Sequence, residues 1–258
     1  MGAWLDLSAV EAELGTGFVG RRLVYHTSTG STQDVARAEG EMGAAEGTAV
    51  LAEEQTAGRG RMGRAWVSPA GTNLYLTLLM RPTVEQLRSL SIIAPLATAQ
   101  AVEETTGLSP AIKWPNDVLI AGRKLAGVLI ETELSGQAVK FALVGIGLNV
   151  NFDVEQVPEI AEIATSLKRE LGREVSREAL LAALLNRFEA LYREASRGRS
   201  VYEAWRSRLE TLGRPVKVTF GGQVEAGLAE DVDAEGSLVL RRADGSRVTI
   251  AAGEVTLR

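Results

Sequence analysis

Cysteine is absent from this sequence and histidine occurs once, at His26. These scarcities remove a zinc cluster, a thiol nucleophile and a redox pair from the available chemistry. They also leave nothing that points to an oxidising compartment. A serine triad would have to recruit His26, but no Gly-x-Ser-x-Gly elbow accompanies it, and a histidine at a strand edge is the simpler reading. Long apolar runs are missing too: none approaches the roughly 20 residues that cross a membrane, and no N-terminal signal pattern is present. A cytoplasmic chain without a membrane partner is the expectation. Basic charge is the minority sign, 28 residues against 33 acidic ones, for a formal net charge of −5. The basic residues are dispersed apart from one cluster at Arg59 to Arg64, so the broad basic face of a nucleic-acid binder is lacking and DNA is not an expected partner.

The 258 residues, 45% hydrophobic and 24% charged, suffice for one sizeable domain, 1–212, and a small second one, 213–258. Leu5 to Leu14 has helical spacing but is too short for a helix-turn-helix unit. Leu23 to His26 and Thr48 to Glu53 read as strands and Thr32 to Glu39 as a helix. Asn73 to Met80 reads as a strand buried on both faces. Leu87 to Thr105 reads as a buried helix whose Pro95 either kinks it or sits in its first turn. Ala111 to Trp114, Val118 to Ile120, Leu125 to Glu133 and Ala138 to Asn149 follow as strands, with Ala121-Gly122-Arg123 as a hairpin turn. Glu178 to Ala195 carries an apolar stripe with Ser176 as its N-cap, and Val201 to Leu209 adds a second helix. From Gly213 the pattern changes to short strands, Val216 to Phe220, Leu238 to Arg241 and Val248 to Ile250. They are separated by Gly221-Gly222, Glu235-Gly236 and Asp244-Gly245 turns, which is the texture of a small β-barrel.

Gln55 to Trp66 is the most informative segment. Its glycines let backbone amides approach a ligand, and Arg59, Arg61 and Arg64 offer fork-shaped donors for phosphate or carboxylate oxygens. It contains a formal Gly-x-Gly-x-x-Gly, but the continuation Val67-Ser68-Pro69-Ala70-Gly71 cannot start the helix that a dinucleotide site requires. A solvated basic loop is the plain alternative. Lys113-Trp114-Pro115-Asn116-Asp117 is a turn that presents Asn116 and Asp117 together, where a carboxylate can hold Mg²⁺ on nucleotide phosphates or merely close an Asn-Asp turn. In Arg123 to Glu131, Lys124 stands at the mouth of an otherwise apolar strand, within reach of a bound anion or in water as a hairpin lysine. Gly145 and Gly147 interrupt another strand, which calls for a close approach to the backbone or for a bulge.

In order and wording, these segments resemble the biotin protein ligase family across nearly the whole chain, in its short form without an N-terminal DNA-binding domain. The matching elements are Ser31-Thr32, Gly58 to Trp66, Lys113 to Asp117, Lys124 to Gly127, Gly145 to Asn149 and the region from Gly213 onward. The resemblance implies an α+β fold: a mixed, largely antiparallel sheet flanked by helices, like that of class II aminoacyl-tRNA synthetases, with a small C-terminal SH3-like β-barrel. It implies biotin contacts at Ser31, Thr32, Gln33, Gln55, Gly58, Arg59, Arg61, Lys124 and Gly127. Nucleotide contacts are implied at Arg59, Arg61, Arg64, Trp66, Asn73, Lys113, Asn116, Asn149 and Arg258, with Asp117 as the Mg²⁺ ligand. One departure is visible: the family usually follows Ser-Thr with Asn, where this chain has Gln33 and then Asp34. The lipoate and octanoate ligases share the fold but usually lack this arginine-rich loop and the Lys-Trp-Pro-Asn-Asp wording.

The implied reaction consumes ATP and biotin to make biotinyl-5'-AMP, then transfers biotin to a lysine of a biotin carboxyl carrier protein. Two anions must meet, so positive charge is required, and Arg61, Lys124 and Mg²⁺ would supply it, with positioning contributing the rest. Asp117 would take the proton of the carrier lysine. A homodimer through strand edges near Val139 to Val144 is the assembly that family analogy suggests. The mixed anhydride must be kept from water, and the composition of Gly58 to Gly63 predicts a loop that is mobile without ligand and orders over the adenylate. Amide hydrogen exchange is expected to be faster at Gly58 to Gly63 than in the neighbouring strands of the ligand-free protein, and equal protection would refute a mobile loop.

Overall fold

The computed structural model describes residues 4–136, 138–197 and 201–257. Helix α1 (Leu7–Glu13) is capped by the Asp6 side chain, which accepts from the Ser8 and Ala9 amides. Strand β1 (Leu23–His26) leads to helix α2 (Thr32–Glu41), β2 (Thr48–Ala52) and β3 (Leu74–Met80). Helix α3 (Val84–Thr106) is followed by β4 (Ala111–Lys113), β5 (Asp117–Ile120), β6 (Arg123–Ser135) and β7 (Ala138–Leu148). Next come helices α4 (Leu167–Leu171), α5 (Arg177–Ser196) and α6 (Tyr202–Arg206). The remaining strands are β8 (Pro215–Phe220), β9 (Gln223–Val232), β10 (Leu238–Arg241), β11 (Arg247–Ile250) and β12 (Glu254–Leu257).

The first seven strands form one sheet in the order β1-β2-β3-β7-β6-β5-β4. Only β1 and β2 run parallel; every other neighbouring pair is antiparallel. Alternation along the central strands divides the core. Ala49, Leu51, Leu76, Leu78, Ala142 and Val144 pack in the main cluster with α3 and α5. Val50, Leu79, Phe141 and Leu143 face the other way, onto Ala36 of α2. That two-sided burial is what the largely apolar run of β3, broken only by Thr77, requires. Farther along the α2 face of β7 the side chains shrink to Gly145 and Gly147, and the packed surface gives way to a cleft.

Helix α3 begins earlier than the apolar pattern suggests, at a capping box in which the Thr83 side chain and Gln86 satisfy each other's amides. Pro95 therefore lies mid-helix rather than in the first turn, and the helix continues through it although proline removes one backbone donor. The turn between β5 and β6 has Ala121 and Gly122 both at positive φ, 49° and 74°, the mirror-image geometry of a two-residue hairpin. Helix α6 is shorter than the expected Val201 to Leu209.

Strands β8 to β12 make a second, wholly antiparallel sheet in the order β11-β10-β9-β8-β12. Its three predicted strands and three glycine turns are present, and β9 and β12 are additions. β9 is obscured in the sequence by Gly227 and its acidic residues, which lower strand preference. Gly227 is required there because a Cβ would run into the Arg241 carbonyl across the sheet. The segment Val139 to Val144 offers no free edge at Ala142 to Val144, where β7 pairs with β3 on one side and β6 on the other. The Lys140 carbonyl is occupied by Arg81, at 3.0 Å.

A buried ion pair ties the N-terminal segment, the sheet and α5 together. Arg177 Nη1 lies 2.7 Å from Glu53 Oε2, with the side chains 4% and 0% exposed. Glu53 Oε1 also accepts from the Tyr25 hydroxyl at 2.7 Å and the Leu5 amide at 2.6 Å. Arg177 in turn donates to the Asn73 carbonyl at 3.1 Å. Removing one member strands the other's charge in the core, so Glu53→Ala should cost about 3–5 kcal/mol of stability in urea unfolding. The double replacement Glu53→Leu with Arg177→Met should cost much less, and equal losses would contradict this account.

Candidate active site

The cleft has a volume of about 630 Å³ and opens where α2, the Gly58 to Trp66 loop, the Lys113 to Asp117 turn and the end of β7 converge. Its floor depends on missing side chains. A Cβ on Gly145 would stand 2.7 Å from Gln33 Nε2, and one on Gly147 would meet the Trp66 indole nitrogen at 2.5 Å. A Cβ on Gly127 would press on Lys124 Nζ at 3.1 Å. Strand β7 is continuous through Gly145 and Gly147, so it is the close approach of Gln33 and Trp66 that requires these two, not a bulge.

One end of the cleft is a neutral polar lattice at the start of α2. Ser31 caps the helix, accepting from the Gln33 amide. Gln55 Oε1 accepts from both the Thr32 amide, at 3.0 Å, and the Thr32 hydroxyl, at 3.1 Å. Its Nε2 donates to Ser68 at 3.0 Å, and Thr77 donates to the Thr32 hydroxyl oxygen at 2.8 Å. Every member is buried or partly buried, so the amide of Gln55 has one available orientation. Gln33 donates to the Leu129 carbonyl at 3.0 Å while its own Oε1 is buried without a partner.

The other end is charged. The arginine loop closes on itself through Trp66 N to Gly58 O at 2.9 Å and Gly60 N to Arg64 O at 2.7 Å. Its tip turns at Met62 and Gly63, both at positive φ. It leads into no regular helix, so the dinucleotide-turn geometry is absent. Each arginine reaches a different element. Arg59 forks onto Asp34 of α2 at 2.6 and 2.8 Å. Arg61 donates to Asn116 Oδ1 at 2.9 Å and to the Gly253 carbonyl at 3.0 Å, and Arg64 pairs with Glu254. The hydrogen bond from Arg59 holds the Asp34 carboxyl below its ordinary range. Burial pulls the Arg61 guanidinium down, with Asp117 and Glu254 opposing. Lys124 Nζ lies 2.6 Å from Asp117 Oδ1 and 5.4 Å from the centre of the Trp66 ring.

Of the residues picked out in the sequence, Ser31, Thr32, Gln33, Gln55, Arg59, Arg61, Arg64, Trp66, Lys113, Asn116, Asp117, Lys124, Gly127 and Asn149 all line this cleft. Gly58 and Asn73 are not in the lining. Gly58 is needed inside the loop, where a Cβ would meet Ser68 Oγ at 2.7 Å. Asn73 is fully buried behind Asn149, accepting from the Val150 amide at 2.8 Å and donating to Tyr75 at 3.1 Å. Arg258 lies outside the described residues. The sequence reading missed the wall formed by Ile160, Glu162, Ile163 and Ala164, and Glu254 at the end of the second sheet. No pattern marks the former, which is an irregular segment.

Comparison with known proteins agrees with this geometry. Residues 25–151 match the model of the biotin/lipoate A/B protein ligase family, and residues 211–258 match the biotin protein ligase C-terminal domain. The biotin--[acetyl-CoA-carboxylase] ligase of Mycobacterium tuberculosis is 35% identical over 94% of this chain and 91% of its own length. The bifunctional ligase/repressor BirA of Bacillus subtilis is 35% identical over 93% of this chain and 76% of its own. Among solved structures, the Aquifex aeolicus biotin protein ligase in complex with biotin and ATP superposes with a TM-score of 0.78 at 31% identity. That match covers 92% of this chain and 99% of the other. With the loop, the lysine and the glycine floor in one cleft, the chain belongs to the biotin protein ligase family.

Proposed function

We infer that the chain activates biotin with ATP, releasing pyrophosphate, and then transfers the biotinyl group to a lysine of a biotin carboxyl carrier protein, releasing AMP. The carrying observation is the meeting of Arg61, Lys124 and Asp117 in one cleft whose other end is a neutral hydrogen-bonding lattice. A ureido ring and an aliphatic tail suit the lattice end, and a carboxylate with a triphosphate suits the charged end. Ser31, Thr32, Gln33, Gln55 and Gly127 are assigned to biotin, and Trp66, Lys113, Asn116 and Asn149 to the nucleotide, with Arg59, Arg61 and Arg64 spanning the junction. Asn73 acts one layer back, holding the chain at Val150 beside Asn149. The reading divides the chain into a catalytic domain, 1–212, and a C-terminal SH3-like barrel, 213–258.

In the first step a biotin carboxylate oxygen attacks the α-phosphorus and the pyrophosphate oxygen leaves. Arg61 and Lys124 hold the two anions together and meet the charge that develops, so most of the acceleration comes from positioning and electrostatics. Both cations already have partners in the protein, so the ligand's oxygens exchange for Asn116, Gly253 and Asp117 rather than for bulk water. The oxygen donor of Asp117 fits a Mg²⁺ that accompanies phosphates, which needs only one or two protein carboxylates. When bound, that ion would neutralise phosphate oxygens. In the second step the carrier amine attacks the acyl carbonyl, an amide forms and AMP departs. Asp117 accepts the amine's proton.

Biotin should support exchange of labelled pyrophosphate into ATP, with lipoate and octanoate inactive in parallel. Exchange with either of those alone would move the assignment to the sister ligases, and none with any acid would leave a non-catalytic nucleotide-binding chain. Given preformed biotinyl-5'-AMP, Asp117→Asn should transfer to the carrier at least about 100-fold more slowly than the parent, the lower end of what a general base contributes. An unchanged transfer rate would remove Asp117 from that step.

A further inference from the structure

We propose that Glu170, near the C-terminal end of α4, is a positioning residue that sets Lys124 and Asn149 in the cleft. The inference rests on the biotin-ligase reading of that cleft. Lys124 stands at an irregular point of the sheet. Leu119 pairs with Lys124 and Val118 with Ala126, leaving Leu125 as the extra residue of a bulge. Bulges re-aim side chains, and a bulge on its own leaves the lysine backbone held from one side only.

The second side is supplied by the cleft wall. The Lys124 amide donates to the Ile163 carbonyl at 2.8 Å, and the Thr165 amide donates to the Lys124 carbonyl at 2.9 Å, a short parallel bridge centred on Ala164. The Thr165 carbonyl accepts from Asn149 Nδ2 at 3.0 Å. One three-residue segment therefore fixes both the lysine that faces the anions and the asparagine beside it.

What fixes the segment is Glu170. Its Oε1 accepts from the Thr165 hydroxyl and, at 2.8 Å, from Arg123 Nη2, the residue immediately before Lys124. Thr165 is fully buried and the Glu170 side chain is 13% exposed, so water cannot readily replace the bond between them, while the Arg123 side chain, 33% exposed, holds the outer side of the carboxylate. The carboxylate thus clamps the wall to the start of β6 from both ends of the bridge. Glu170 does not line the cleft, so its influence reaches the reaction only through Lys124 and Asn149. A displacement of about 1 Å in such a group costs on the order of 100-fold in rate.

The test uses the full chain carrying Glu170→Ala, Glu170→Gln and, as a milder probe of the same bond, Thr165→Val. Two readouts are taken: the kinetics of biotin-dependent pyrophosphate exchange, and amide hydrogen exchange at Lys124 and Thr165. Glu170→Ala should lower kcat by about tenfold or more with a smaller change in the KM for biotin, and should accelerate both amides. Glu170→Gln keeps an acceptor oxygen and should recover kcat to within about threefold. If Glu170→Ala does not fold, Thr165→Val should show the same kcat loss in reduced form. Parental kcat and parental amide protection in the alanine or valine variant would overturn the proposal, whatever happens to Tm. Absence of exchange in the parent protein would instead refute the ligase reading, and the two amides would still decide the clamp.

Discussion

Three glycines of the central strands govern this site. At Gly127, Gly145 and Gly147 the central strands present bare backbone to the α2 side of the sheet, and Lys124, Trp66 and Gln33 lie against it. One residue pair earlier the same face carries Phe141 and Leu143 and is ordinary core. The cleft is therefore a continuation of the hydrophobic layer with its side chains deleted. That gives it a floor as rigid as the sheet itself, at the expense of the packing those side chains would have contributed.

The arginine loop of the site, by contrast, is fastened by charge. Arg59, Arg61 and Arg64 follow one another around a single hairpin, yet they grip α2, the Asn116 turn and the second sheet respectively. Each of those contacts is partly exposed and individually weak. Their placement on three separate elements means that the hairpin's position is set only when all three agree. The arginine run was conspicuous in the sequence because its residue types are rare together. Its partners were not, since Asp34, Gly253 and Glu254 belong to no motif.

Legibility followed the range of the forces involved. Local chemistry could be read directly: the Ser176 cap, the Ala121-Gly122 turn and the glycine turns of the second sheet all announce themselves within a few residues. Elements held mainly by distant partners could not. Strand β9 contains residues that disfavour strands and exists because β8 and β10 flank it. Helix α3 keeps Pro95 because its burial against α5 and the sheet outweighs one lost bond. The same distinction divides the site. Residues picked out for ligand contact sit in compact motifs, whereas Asn73 was grouped with them and lies behind Asn149, and Glu170, joined to Arg123 and Thr165, belongs to no motif.

The pairing of Lys124 with Asp117, of Arg59 with Asp34 and of Arg64 with Glu254 has a consequence for how ligands arrive. Charges already matched inside the protein cast little field beyond their own shell, and the chain as a whole is net negative. An anionic nucleotide therefore gains little long-range pull toward the cleft. Encounter is left to plain diffusion, and selectivity is exerted only at contact, as internal ion pairs are traded for new ones. Association of this kind should respond weakly to ionic strength, while dissociation carries most of the discrimination between one acid and another.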